Sequence, residues 1–273
     1  MGRIEQSFED LRRRGRTALM PYLTMGYPAC DSALDLVPAI AEAGADLIEL
    51  GVPFSDPLAD GATIQASSQR ALENGMTLAL CLDQAAALRV REVSIPFVLM
   101  SYYNPILQMG VERFAQRAVA TGIDGAIVPD LPPEESDELR AALHKQGIDL
   151  IFLLAPTADD ARLRAVAARG RGYLYLVSLV GVTGARDRLP AELESFVARV
   201  RAISDLPLAV GFGIASPAQA ARVARIADGA IVGSALIRAI GGADDPVAAA
   251  RAFVAWLREG MEVAVRPRTQ LML

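Results

Sequence analysis

Short apolar runs with no polar interruption alternate along the chain with longer stretches in which apolar residues recur every third or fourth position. The short runs are Leu19–Met25, Asp46–Gly51, Phe97–Tyr102, Gly125–Pro129, Leu150–Leu154, Gly172–Ser178, Pro207–Gly211 and Gly229–Val232. They read as strands buried on both faces, the mark of a parallel sheet. The helical period appears between them, at Asp31–Glu42, Leu78–Glu92, Val111–Ala120, Glu134–Gln146, Ala158–Arg169 and Leu193–Ile203. Strand and helix in regular succession predict an α/β fold, and eight such strands favour a closed (β/α)8 TIM barrel over an open doubly wound sheet. An opening helix with Ile4, Phe8 and Leu11 on one stripe, ending before Gly15, is expected to cap one end of the barrel. Two units carry extra pieces: a loop and short helix from Pro53 to Asn74 after strand two, and a short helix at Gly233-Ser234 after strand eight, ahead of a long helix Pro246–Arg258. Trp256, with Phe253 and Leu257, is expected to pack that last helix. No linker composition divides residues 1–273, which predicts one domain.

The second strand breaks its own rule. Glu49 lies near the C-terminal end of an otherwise apolar run, on one face with Leu47 and Gly51. An ionised carboxylate there costs several kcal/mol unless it is paired, protonated or used. Pro53 stops the strand, and a loop rich in proline and acid follows. Asp60, eleven residues beyond Glu49, is close enough in sequence to fold back over the strand end. Two carboxylates there make a candidate acid/base pair.

Composition removes competing chemistries. The chain has 273 residues, right for one α/β barrel, and 27 basic against 32 acidic side chains, a net charge of −5. That balance argues against a nucleic-acid or anionic-membrane partner, so a phosphate ligand has to be held by backbone geometry. Lys145 is the only lysine and adjoins the only histidine, His144, on the polar side of a helix. A Schiff-base aldolase, a pyridoxal enzyme, a multi-histidine metal site and a Ser-His-Asp triad are therefore disfavoured, and no metal or cofactor is expected. Cys30 and Cys81 are far apart in sequence and form no CxxC, so neither a disulfide framework nor a zinc site is expected. No run of eighteen apolar residues and no signal-peptide core is present, which points to the cytoplasm.

Glycine sites offer the missing phosphate cradle. Strand seven ends in VGFGI with Gly211 and Gly213, strand eight in IVGSALI with Gly233 and Ser234, and strand six leads to GVTGA with Gly184. Loops after strands seven and eight, together with a short helix N-terminus, commonly hold phosphate in this fold. Exposed N–H groups and the helix dipole suit a dianion without a lysine.

The run ELGVPFSDPLADG resembles the tryptophan synthase alpha subunit family, and the resemblance extends over nearly the whole chain: PYLTMGYP, LMSYYNPI, GAIVPDLPPEE, YLVSLVGVTGAR, VGFGIASPAQA and GAIVGSALI. It implies that Glu49 and Asp60 are the catalytic pair cleaving indole-3-glycerol phosphate. It further implies that Tyr22, Met100, Tyr102, Tyr175 and Phe212 form the indole and glycerol pocket, and that Gly184, Gly213, Gly233 and Ser234 bind phosphate. Thr183 is implied as the loop residue that contacts the catalytic aspartate. Tyr22 stands where the best-known members have Phe, and Ala62 follows Asp60-Gly61 where many have Pro.

Retro-aldol cleavage fits the residue inventory independently, because the indole ring, protonated at the carbon bearing the side chain, is its own electron sink. Glu49 is the expected general acid. Asp60, in the wetter loop, is expected to stay ionised and accept the indole N–H. The implied partner is a tryptophan synthase beta subunit in an alpha2-beta2 tetramer, docked by the Ser55-Asp56-Pro57 loop. Leu179–Leu189, with two glycines and two arginines, is expected to be a lid. Other readings of the same features are a stand-alone lyase, a phosphosugar isomerase sharing the phosphate loops, and a mainly activating subunit.

Overall fold

Residues 2–177, 192–211 and 213–262 are described by the computed structural model. The lid segment Leu179–Leu189 and residues Thr183, Gly184 and Phe212 lie outside them. The strands are β1 (Ala18–Thr24), β2 (Ile48–Gly51), β3 (Phe97–Met100), β4 (Gly125–Ile127), β5 (Asp149–Leu154), β6 (Leu174–Val177), β7 (Leu208–Gly211) and β8 (Gly229–Val232). Every neighbouring pair is parallel, and β8 returns to β1 to close the barrel. Each expected strand is present, and most are a residue or more shorter than the apolar run that signalled them. Helix α1 (Arg3–Arg13) precedes the barrel, and α2 (Ala33–Glu42) follows β1. After β2 come α3 (Ala62–Glu73) and α4 (Leu78–Val90); after β3 come α5 (Tyr103–Met109) and α6 (Val111–Ala120). The remaining helices are α7 (Asp137–Lys145), α8 (Asp160–Arg169), α9 (Glu192–Arg201), α10 (Pro217–Ile226), α11 (Ser234–Gly241) and α12 (Pro246–Glu262). The extra helices after strands two and eight are thus α3 and α11.

Helix α5 departs from expectation, since no helix was expected between strand three and Val111, and the strand itself, expected to run to Tyr102, ends at Met100. Asp130 draws the chain away from the sheet by accepting the Tyr103 amide at 2.9 Å, and Pro105 sits in the first helical turn, where its missing N–H leaves no bond unmade. Trp256 is the second departure. It is 47% exposed, its ring 6.1 Å from that of Phe253, and Val254, Leu257 and Met261 pack α12 instead.

Side chains inside a barrel come from alternate strand residues. Ala18 and Met20, Leu47, Val98, Ile127, Ile151, Tyr173, Ala209 and Ile231 form one interior cluster. Ile4, Phe8 and Leu11 of α1 belong to the same cluster and plug its N-terminal end, as their stripe predicts. At that end, the carboxylates just before β2, β4 and β8 accept the Leu19, Phe97 and Leu208 amides at 2.8, 2.9 and 2.9 Å. Arg258, Arg89 and Arg201 neutralise Asp46, Asp124 and Asp228 respectively. The closed end is therefore apolar inside and pinned by ion pairs outside, which leaves the C-terminal mouth as the open end.

Candidate active site

Continuing each inward row by two residues toward the mouth gives the next layer. Met20 leads to Tyr22, Leu47 to Glu49 and then Gly51, Val98 to Met100, Ile151 to Leu153, Tyr173 to Tyr175, Ala209 to Gly211 and Ile231 to Gly233. The β1/β2 register sets Tyr22 opposite Glu49. Four of the sequence-expected residues, Tyr22, Glu49, Met100 and Tyr175, thus continue inward rows toward the mouth because strand parity puts them on the inner face.

Glu49 is 1% exposed. Its Oε1 accepts from the Tyr173 hydroxyl at 2.9 Å, while Oε2 is buried with no hydrogen-bond partner among the described residues. Burial pushes the carboxyl up to about 8, against the opposing pull of the Tyr173 hydrogen bond. At neutral pH Glu49 is mainly the protonated acid, and Oε2, unengaged by any described residue, is the oxygen available to carry that proton.

Asp60 sits in the loop between β2 and α3, immediately before Gly61, the residue that opens the helix. The Tyr102 hydroxyl donates to Asp60 Oδ2 at 3.2 Å and accepts the Ala59 amide at 2.9 Å. Phe54 stacks on the Tyr102 ring with centroids 5.1 Å apart. This one tyrosine therefore holds the loop at three points. The expectation of a wet loop needs correction: Asp60 is half-buried, and its desolvation raises the carboxyl to about 6 while Tyr102 pulls it down. Asp60 remains mostly the anion at neutral pH. Both carboxylates act on the buried hydroxyls of Tyr22 and Tyr175, holding them above the usual phenol range after burial itself, so the four groups share one poorly solvated space.

Gly213 and Gly233 border the same mouth. Gly213 has φ +32°, and a β-carbon there would meet nothing within 4 Å, so its backbone faces open space. Gly233 precedes α11, whose first residue is Ser234; no side chain caps that terminus. The unused first-turn amides and the Ser234 hydroxyl are donors available to an anion.

The family model described as Tryptophan synthase alpha chain matches residues 8–266. The chain belongs to the tryptophan synthase alpha chain family. A relative from Chloroflexus aurantiacus, named tryptophan synthase alpha chain, is 53% identical over 269 residues, covering 98% of this chain and 100% of its own. One from Dehalococcoides mccartyi with the same name is 48% identical, covering 96% and 100%. Among solved structures, tryptophan synthase subunit alpha from Legionella pneumophila superposes with a TM-score of 0.91 at 39% identity, covering 96% of this chain and 99% of that one.

Within this tryptophan synthase alpha chain family member, four residues near the pair escaped the sequence reading. Tyr173 holds Glu49, Leu153 shares its inward layer, and Thr24 and Ser67 lie against the Tyr22 hydroxyl's surroundings, joined at 2.7 Å. The signal for Tyr173 was its place two residues before Tyr175, which puts both on one face of β6.

Proposed function

We propose that the chain carries out the alpha reaction of tryptophan synthase, cleaving indole-3-glycerol phosphate to indole and glyceraldehyde 3-phosphate. The observation that carries the residue assignment is Glu49: a buried carboxyl, pushed up to about 8 by that burial, with one oxygen anchored by Tyr173 and the other unengaged among the described residues.

The roles follow from the charges. Glu49 delivers its proton to the indole carbon that bears the glycerol chain, giving an iminium-like ring nitrogen. Asp60, the anion at the loop, accepts the N–H and stabilises the positive charge that develops on the ring. The bond between ring and side chain then breaks, and its electron pair returns to the ring and neutralises the nitrogen. The hydroxyl proton of the departing carbon leaves to Glu49, now the carboxylate, or to water, and that carbon becomes the aldehyde. Proton and electrons balance with no cofactor. Tyr22, Met100, Tyr102 and Tyr175 are the proposed walls around ring and glycerol, and Gly213, Gly233 and Ser234 the proposed phosphate site; the further assignments of Phe212, Gly184 and Thr183 fall outside the described residues.

A tryptophan synthase beta subunit is the proposed partner, receiving indole at the mouth. Supporting that face, Leu58 is 94% exposed in the Asp60 loop beside Ser55 and Asp56, and Leu107 of α5 is 52% exposed. Large exposed apolar side chains at a rim mark protein contacts better than scattered ones do. No helix among the described residues is long and apolar enough to cross a membrane. The two free thiols, Cys30 and Cys81, fit a proposed cytoplasmic location.

Indole and glyceraldehyde 3-phosphate released from indole-3-glycerol phosphate by the purified chain, with and without a beta subunit, test this reading. Equimolar products, faster with the partner, are expected. Absence of both products under either condition would overturn it.

A further inference from the structure

Tyr22 packs tightly against one backbone, that of Gly51. On one side its ring lies over Gly51: a β-carbon there would stand 2.1 Å from the Tyr22 hydroxyl and 2.4 Å from Cζ. The side toward Gly233 is looser: a β-carbon there would stand 3.5 Å from Tyr22 Cβ and Cδ1, an ordinary contact distance. The tip is also tied. Thr24 Oγ1 lies 3.4 Å from the Tyr22 hydroxyl and 2.7 Å from Ser67 Oγ, and Ser67 donates to the Ile64 carbonyl at 2.8 Å. Thr24 and Ser67 are 0% and 1% exposed, so this hydroxyl chain runs entirely inside the protein, from the pocket wall on β1 to α3.

An aromatic wall held only by packing can swing to admit a bulkier ligand. One whose tip is packed against the Gly51 backbone and hydrogen-bonded there resists the swing, because it breaks a buried hydroxyl contact as well. Tyr22 stands opposite Glu49 in the β1/β2 register, beside the space where the indole ring of the proposed substrate must lie. We infer that Tyr22 is a specificity-determining residue: its pinned hydroxyl closes the ring pocket against Gly51 and limits which benzo-ring positions of the substrate tolerate a substituent. The inference rests on the proposed cleavage of indole-3-glycerol phosphate. Phenylalanine at this position would leave a hydroxyl-sized gap bordered by Gly51 and Thr24. Alanine at Ser67 would keep the ring's volume and loosen its tie, by removing the bond that holds Thr24 Oγ1 in place beside the Tyr22 hydroxyl.

The test compares kcat/KM for indole-3-glycerol phosphate with that for each of its benzo-ring methyl isomers, in the parent, Tyr22→Phe, Tyr22→Leu and Ser67→Ala. A methyl group in a fitted apolar pocket changes the ratio by about 10- to 200-fold, so the parent should reject at least one isomer by about 10-fold or more. For that isomer the ratio should rise by roughly 5- to 10-fold in Tyr22→Phe, further in Tyr22→Leu, and by an intermediate amount in Ser67→Ala. A variant that folds without turning over is read by calorimetry, from the ratio of dissociation constants for free indole and the methylindoles. Ser67→Ala, outside the Gly51 contact itself, decides the matter if a Tyr22 variant does not fold. Ratios within about twofold of the parent for every isomer in every folded variant would overturn the inference. Failure of the parent to release indole from the unsubstituted substrate would instead overturn the proposed function.

Discussion

Tyr173 on the approach to β6 donates its hydroxyl to Oε1 of Glu49 on β2 at 2.9 Å, joining two residues 124 positions apart inside the barrel. The bond stabilises the carboxylate form and so works against the burial that keeps Glu49 protonated. Tyr173→Phe should therefore raise the Glu49 pKa above its value of about 8 and move the high-pH limb of kcat upward. Because the phenol also aims the carboxyl, kcat at neutral pH should fall by about 10-fold, a typical cost of lost positioning. A kcat–pH profile unchanged in its high-pH limb would separate Tyr173 from Glu49.

Burial of Glu49 has a stability consequence with a definite sign. Its folded pKa of about 8 exceeds the ordinary 4.5, so between those values the native state holds a proton that the unfolded chain has released. The stability Glu49 contributes is complete below the ordinary value and is lost as pH rises through the folded one. Glu49→Gln does not titrate. It should be as stable as the parent near pH 5 and more stable by something on the order of 2 kcal/mol near pH 8, measured by urea unfolding. A gap that does not widen with pH would mean that Glu49 is not desolvated as the structure has it.

Asp60 has to be ionised to accept the indole N–H, and its carboxyl is raised to about 6. Activity should therefore decline as pH falls through about 6, and Asp60→Asn should lose roughly 10²- to 10³-fold in kcat, as for removal of one transition-state electrostatic partner. The substrate phosphate titrates in the same range, at about 6, so the assignment needs the variant. A low-pH limb in kcat that persists unchanged in Asp60→Asn belongs to the phosphate.

At the phosphate end, Gly213→Val places a β-branched side chain at φ +32° in space now open, and Ser234→Asp adds a like charge at the α11 N-terminus. Each should raise the KM for indole-3-glycerol phosphate by about 10-fold or more while leaving the dissociation constant of free indole nearly unchanged. Equal losses for indole and substrate would place the phosphate elsewhere.

Much of this was legible in the chain itself, for identifiable reasons. Eight apolar runs spaced by helical periods announce the barrel, and the Ile4, Phe8 and Leu11 stripe announces its plug, because both depend on local periodicity. Glu49 was conspicuous because an acid in a strand apolar on both faces has few innocuous explanations. The same two-sided burial left Tyr173 unread, since a run without alternation does not by itself reveal which residues face inward; its one signal was the two-residue spacing to Tyr175. The Thr24–Ser67 link and the enclosure of Asp60 by Tyr102 depend on contacts between residues 43 and 42 positions apart, which no local pattern records. Helix α5 was hidden by its shortness, seven residues with Pro105 in the first turn, and by a start set by the Tyr103 amide bonding to Asp130, 27 positions away.

The central claim is that Glu49 gives the proton that starts cleavage while Asp60 stays ionised beside it. Its most direct test is indole release from indole-3-glycerol phosphate by the parent and by Glu49→Gln, with substrate binding measured by calorimetry on the same preparations. The account predicts turnover lost by about 10³-fold or more in Glu49→Gln, with a dissociation constant within a few-fold of the parent and a folded, more stable protein. Turnover within a few-fold of the parent at any pH between about 6 and 8 would contradict it.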